Sequence, residues 1–148
     1  MVSSFAKRNQ RHTKTMKVIG LDGKEYSWSI WGKSSDSQQK SSYHLKARDL
    51  LKKLFPIDRI LEEVYLPGCD SLYADFFLPL RKLIVEVHGE QHYKYIPFFH
   101  GNKLNFAKSQ LRDRNKKLFC EQNGIKYIDL PYEESEDEWR NRILEHKL

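Results

Sequence analysis

The chain has 148 residues, a net charge of +6 and 39% hydrophobic residues, which suits a single globular domain. No apolar run approaches the roughly 20 residues that a membrane span requires. The N-terminal residues are polar and basic, so no signal peptide is expected. Two cysteines, Cys69 and Cys120, exclude a disulfide scaffold and a four-cysteine zinc site. A reducing cytoplasm is the simplest setting for such a chain.

The positive charge lies in the first part of the chain. Residues 1–60 carry a net +8, whereas residues 61–148 carry a net −2. A solubilising surface would explain this charge, but Tyr26, Trp28 and Trp31 are interleaved with lysines. Aromatic faces can stack on bases while ammonium groups meet phosphates. This pattern favours a nucleic-acid partner.

The first 42 residues predict a basic arm, a hairpin and a linker that together dock on DNA. Asp22-Gly23 is a type I′ turn signal, and alternating apolar residues after it predict a half-buried strand. Polar residues 32–42 read as a linker, and we place the one domain boundary there. The residues of this region expected to contact DNA are Arg8, Arg11, Lys14 and Trp28.

Residues 43–148 predict a mixed α/β fold with a central sheet flanked by helices. Helical spacing follows Tyr43 and ends at Pro56. Three short segments rich in branched and aromatic residues follow: IDRILEEVYL, SLYADFFL and RKLIVEVHG. The last two predict a strand pair, whereas the first fits either a strand or the end of a helix followed by a strand.

The C-terminal part of this region completes the order α-β-β-β-α-β-α. Residues 103–123 predict a helix whose apolar positions include Leu104, Ala107, Leu111 and Leu118, with Gly124 as the cap. Residues 125–130 predict a strand. A capping box of Ser135 and Glu138 precedes a helix whose apolar face is formed by Trp139, Ile143 and Leu144.

Two acids in neighbouring predicted strands are the first sign of chemistry. If a hairpin joins these strands, Asp75 and Glu86 converge, while Val85 and Val87 face the other side of the sheet. A carboxylate in an apolar strand is costly to bury without a partner. A hard cation such as Mg²⁺ (or Mn²⁺) would satisfy both acids, although Glu86 alone could pair with Arg112.

A short polar segment follows the second acid. His88 and His92 are placed to transfer protons near neutral pH, and Lys94 could hold a phosphate oxygen. A single histidine is more often an ordinary hydrogen-bonded residue. The combination of Asp, Glu-x-His and a further His in a basic protein favours a catalytic interpretation.

The segment LYADFFLPLRKLIVEVHGEQH resembles the PD-(D/E)XK nuclease superfamily, near the very-short-patch-repair (Vsr) mismatch endonucleases and Vsr-like phage homing endonucleases. The resemblance covers about residues 43–145. It implies a restriction-endonuclease-like core, Mg²⁺ ligation by Asp75, Glu86 and the carbonyl of Val87, and catalysis with His92. His88 stands where the superfamily usually has lysine. A bacterial or phage-infected cell is the implied setting.

The same resemblance implies supporting residues. An acid before the Asp strand matches Glu62 or Glu63, of which Glu63 is our choice, and a downstream acid matches Asp113. Helical spacing places Asp113 within one turn of Lys116, which is expected to meet phosphate.

These features together predict a Mg²⁺-dependent endodeoxyribonuclease that nicks or cleaves DNA, with homodimerisation as one route to double-strand cleavage. Three alternatives stay open: a catalytically inactive nucleic-acid-binding module on the same fold, a zinc site that draws on His88, His92, His100 and Cys69, and RNA in place of DNA. No nucleophile-elbow or phosphate-binding loop motif is present.

Overall fold

The computed structural model describes residues 15–30, 40–89 and 103–145. An antiparallel hairpin comes first, with β1 at Thr15–Ile19 and β2 at Glu25–Ser29, in the register Val18↔Tyr26. The hairpin is confirmed, but its turn is not the type I′ turn that we predicted. The connection spans five residues, and of the Asp22-Gly23 pair only Gly23 has a positive φ, of 79°.

The remaining elements follow the predicted order α-β-β-β-α-β-α. They are α1 at Ser42–Leu54, β3 at Leu61–Tyr65, β4 at Tyr73–Leu78, β5 at Leu83–His88, α2 at Lys103–Gln122, β6 at Lys126–Pro131 and α3 at Glu136–Glu145. Ser135 Oγ accepts the N–H of Glu138 at 3.2 Å and so caps α3. Gly124 has a φ of 64°, as suits the residue after a helix.

Strands β3 to β6 form one mixed sheet in the order β3-β4-β5-β6. The first two pairings are antiparallel, whereas β5 and β6 are parallel and are connected through α2. A 3-10 turn at Pro79–Arg81 and the left-handed residue Lys82 connect β4 to β5. This hairpin brings the two acids of the sequence pattern onto adjacent central strands.

Each face of the sheet carries its own apolar cluster. The hairpin and α2 pack on one face, where Trp28 and Phe119 join Phe77 and Ile84. The helices α1 and α3 pack on the other face, where Leu51 and Trp139 join core residues that include Phe76 and Val85. The hairpin therefore shares a core with the sheet, while the proposed boundary within 32–42 falls largely outside the described residues and stays a prediction.

The apolar face predicted for α2 is wrong. Leu104, Leu111 and Leu118 are 63%, 50% and 43% exposed, and Phe119 and Cys120 are the residues that enter the core. The reason is that the sheet contacts the helix face shared by Lys116, Phe119 and Cys120, as positions three and four residues apart share one face. No helix within the described ranges combines the length and apolar character needed to cross a membrane.

Candidate functional site

The two acids meet where the β4–β5 ladder stops. Backbone pairing runs through Leu78↔Leu83 and Phe77↔Ile84 to Phe76↔Val85. One residue further, hydrogen bonds to the carboxylates of Asp75 and Glu86 take the place of backbone pairing. Glu86 Oε2 accepts the N–H of Asp75 at 2.8 Å, and Asp75 Oδ2 accepts the N–H of Val87 at 2.9 Å. The predicted convergence of Asp75 and Glu86 is therefore seen in the structure, through hydrogen bonds that fix both side chains.

Lys116 from α2 is the charged partner of Glu86. Its Nζ lies 2.6 Å from Glu86 Oε1, and the two side chains are only 16% and 1% exposed. Burial, together with the neighbouring Asp75, raises the pKa of Glu86 well above its ordinary value, and Lys116 opposes part of that rise. Sequence reasoning placed Lys116 at a phosphate and offered Arg112 as a partner for Glu86. The structure gives the pairing to the residue one helical turn further on.

The ammonium of Lys116 stays charged in this position. Burial, the largest single influence, lowers the pKa of Lys116, but the charges of Glu86, Asp75 and Asp113 and the hydrogen bond with Glu86 together outweigh it. The result is a raised pKa. The site therefore combines a positive charge with two acids.

A polar cavity of about 220 Å³ opens beside this pair. We call it the carboxylate cavity. Side chains from α1, β4, β5 and α2 converge on it, together with the residue just before α1. Its lining residues are Ser41, His44, Asp75, Glu86, Val87, His88 and Lys116. Four residues named from the sequence as metal ligands or as catalytic groups, Asp75, Glu86, Val87 and His88, thus share one cavity.

His88 lies on the same side of β5 as Glu86, because side chains alternate along a strand. It is 5% exposed. Its Nε2 lies 3.4 Å from the hydroxyl oxygen of Tyr127, and its Nδ1 lies 3.8 Å from Asp129 Oδ2. A carboxylate on one ring nitrogen can orient a histidine so that the other nitrogen exchanges protons.

His44 reaches the cavity from α1, and sequence reasoning missed it. Its Nε2 lies 2.5 Å from Oε1 of the buried Glu62, whose carboxylate also accepts hydrogen bonds from Arg48 at 3.0 and 3.1 Å. The ring of His44 stacks on Phe76 at 4.4 Å. A signal was available, since His44 shares a helix face with the apolar residues Ala47 and Leu51.

Glu62 and Glu63, the two candidates for the acid before the Asp strand, have different surroundings in the structure. Glu62 faces inward and contacts His44, whereas Glu63 is exposed and pairs with Lys40. Glu63 has a φ of 50°, which turns it out of the regular alternation of β3. Asp113 lies one turn before Lys116 on α2, and it is not among the residues that line the carboxylate cavity.

Trp28 is buried and is not accessible to DNA, contrary to our prediction. It is 4% exposed, its ring stacks on Phe77 with centroids 4.7 Å apart, and its Nε1 donates to the carbonyl of Tyr65 at 2.8 Å. The indole thus attaches the hairpin to the sheet. Other predicted residues lie outside the described residues and stay predictions: the DNA contacts Arg8, Arg11, Lys14 and Lys94, and the catalytic His92.

A small hard cation fits the groups around the carboxylate cavity. Glu86 Oε1 is buried and makes no aligned hydrogen bond with the described part of the chain, although Lys116 is near it. Within the described ranges, no group of three or more His, Cys, Asp or Glu side chains could hold an ion. Two carboxylates with several waters are nonetheless a donor set that Mg²⁺ accepts. The zinc alternative also draws on Cys69, which does not line this cavity and whose buried thiol donates to the carbonyl of Pro67, while His92 and His100 lie outside the described residues.

The chain is similar over part of its length to proteins of three viruses. No protein-family model matches the chain. The chain is 45% identical over 65 residues to uncharacterized protein 307L of Invertebrate iridescent virus 6, 41% over 63 residues to uncharacterized protein 033L of Invertebrate iridescent virus 3, and 36% over 63 residues to uncharacterized protein 094L of Frog virus 3. These matches cover 44%, 43% and 42% of this chain. They cover 33%, 32% and 41% of the relatives, so the chain spans less than half the length of the curated relatives it matches.

Proposed function

We propose that the protein is a Mg²⁺-dependent endodeoxyribonuclease that hydrolyses phosphodiester bonds at the carboxylate cavity. One observation carries the proposal. Asp75 and Glu86 converge where the β4–β5 pairing stops, beside a charged lysine and two histidines. The net charge of +6 supports a polyanionic substrate. Nicking by one chain, or cleavage of both strands by a homodimer, are both compatible with one such site per chain.

Asp75 and Glu86 would hold the ion, with Val87 beside them in the cavity lining. When bound, Mg²⁺ would neutralise charge on the phosphate and make a water molecule more acidic. Lys116 has a flexible four-carbon stem, so its ammonium can move from Glu86 towards a non-bridging phosphate oxygen when the carboxylate gains another cation. This movement would place the lysine where the substrate is negative.

Two histidines in the lining can move protons at the reacting phosphate. His44 is held by Glu62 and His88 lies near Asp129, so each ring has a carboxylate that can orient it. The predicted role of His92 stays a prediction beside them.

One observation favours a second candidate, an inactive nucleic-acid-binding module. Lys116 already compensates the charge of Glu86 at 2.6 Å, so the buried acid does not need an ion for its charge to be balanced. A protein of this kind would bind DNA through its basic surface and leave it intact.

A plasmid-nicking assay separates the two candidates. The protein is incubated with supercoiled DNA in Mg²⁺ or in EDTA, beside Asp75→Asn and a matched control, Asp70→Asn. Asp70 is exposed and already has a positive φ of 53°, which asparagine tolerates.

For the nuclease we expect Mg²⁺-dependent nicking that Asp75→Asn lowers by more than about 100-fold, since even partners outside the ligand shell are worth 10- to 100-fold. Asp70→Asn should cleave like the parent protein. If the parent protein binds DNA but leaves it uncut in both Mg²⁺ and Mn²⁺, the nuclease proposal fails and the inactive module stands.

A further inference from the structure

A second, larger depression adjoins the carboxylate cavity. It has a volume of about 780 Å³ and lies between β2 of the hairpin and the edge of the sheet formed by β3. We call it the tyrosine cleft, after Tyr26, Tyr65 and Tyr73 in its wall. Asp75 lines both the cleft and the carboxylate cavity, so the two depressions adjoin each other at this residue.

Exposed aromatic rings are the main feature of this cleft. Tyr65 and Tyr73 are directly opposite each other in the β3–β4 pairing, and their ring centroids are 5.6 Å apart. They are 47% and 52% exposed, although they flank the buried Val64 and Ala74. Rings that stay this open at a sheet edge offer stacking surface to a flat ligand.

The charges of the wall indicate what kind of group enters. Among the described residues that line the cleft, Glu63 and Asp75 are acids and none is Lys or Arg. Glu63 is paired with Lys40, which does not line the cleft, so this wall gives a phosphate no lysine or arginine to bind and is better suited to an uncharged aromatic ring. The volume lies within the range of pockets that hold small organic ligands.

We propose that the tyrosine cleft binds an unpaired nucleobase of the DNA strand whose phosphate reaches Asp75. This inference rests on the proposed function, and it specifies the substrate as single-stranded or locally unpaired DNA. A base inside a duplex has both faces stacked and its edge paired, so it cannot present a face to Tyr65 or Tyr73. A base without a partner can do so, and stacking on aromatic side chains strengthens binding with little dependence on sequence.

The experiment measures binding of the full chain in EDTA by fluorescence anisotropy, so that cleavage plays no part in the result. The two probes are a labelled thymidine decamer and a decamer that is abasic at every position, which have equal phosphate charge. The variants are Tyr73→Leu and the double variant Tyr65→Leu/Tyr73→Leu. The matched control is Tyr43→Leu, since Tyr43 is an exposed tyrosine on α1 outside the cleft.

We expect the parent protein to bind the decamer on the order of 10-fold more tightly than the abasic probe, as stacking of one base supplies about that factor. The tyrosine variants should bring this ratio close to one and leave the salt dependence unchanged. Tyr43→Leu should keep the parent ratio.

Three results overturn the inference: a parent ratio near one, equal losses for both probes in the variants, or a duplex of the same length that binds as tightly as the decamer. The parent ratio needs no variant, so it tests the inference even if a substitution prevents folding. A protein that fails to nick DNA but shows the expected ratios would refute the nuclease and confirm the base site.

Discussion

Replacement of Lys116 by methionine tests the central charge arrangement of the site. Met keeps most of the stem but removes an ammonium that lies 2.6 Å from a carboxylate with 1% exposure. An unpaired buried charge costs about 3–5 kcal/mol, and Glu86 can reduce that cost by taking up a proton, at about 1.4 kcal/mol per pKa unit. We therefore expect Lys116→Met to lower the free energy of unfolding by about 3 kcal/mol at pH 8.

The sign of the pH dependence follows from Glu86. Its folded-state pKa is raised by burial and by Asp75, and the loss of Lys116 raises it further. The unfolded chain gives up this proton at lower pH than the folded chain, so stability is present at acidic pH and is lost as pH rises. The destabilisation should be clearly smaller at pH 5 than at pH 8.

Guanidinium unfolding, followed by tryptophan fluorescence at both pH values with and without Mg²⁺, measures these quantities. Mg²⁺ at ten times its dissociation constant should restore about 1.4 kcal/mol to the Lys116→Met protein at pH 8. The control is Lys108→Met, because Lys108 is an exposed lysine on the same helix. A loss independent of pH, or an equal loss when Lys116→Met is made in a Glu86→Gln background, would refute the proposed charge pairing.

Three further predictions follow from other contacts. Because Mg²⁺ competes with a proton for Glu86, whose pKa is raised, the Mg²⁺ concentration for half-maximal nicking should fall from pH 6 to pH 8; a constant value would contradict this. Trp28→Ala should lower the free energy of unfolding by about 3–5 kcal/mol, against no change if the indole were on the surface. Burial raises the pKa of the Cys120 thiol to about 12, so iodoacetamide at pH 8 should label Cys120 in denaturant and leave the native protein unmodified.

Much of the fold was predictable because its strands carry strong local patterns. Apolar runs such as LIVEV, separated by Pro and Gly, predicted the order of the elements. The hairpin between β4 and β5 then followed from the short connection, and with it the meeting of Asp75 and Glu86. Period-2 alternation was enough to place Val85 and Val87 on the face opposite Glu86.

The failures have a common physical cause, since which face of an element packs inward depends on distant residues. On α2, the leucines at 104, 111 and 118 form the more obvious apolar pattern in the sequence. The sheet, however, contains the buried acid Glu86, which is stabilised by a cation. The face with Lys116 therefore packs inward, one turn after the Arg112 that sequence reasoning considered. For Trp28 the local pattern indicated burial, but we interpreted the residue as a DNA contact. The alternation that predicted β2 as a half-buried strand also placed Trp28 with Tyr26 and Ile30, on the buried side.

Where the β4–β5 pairing stops, the hydrogen bonds of Asp75 and Glu86 give these residues a structural role that is independent of any reaction. Each carboxylate accepts a main-chain N–H that the β4–β5 ladder does not pair at that point. A relative without the proposed activity would still need a hydrogen-bond acceptor at both positions to keep these two strands joined. Acids or amides at 75 and 86 should therefore persist in relatives whether or not they cleave DNA, so these two residues alone do not identify a nuclease.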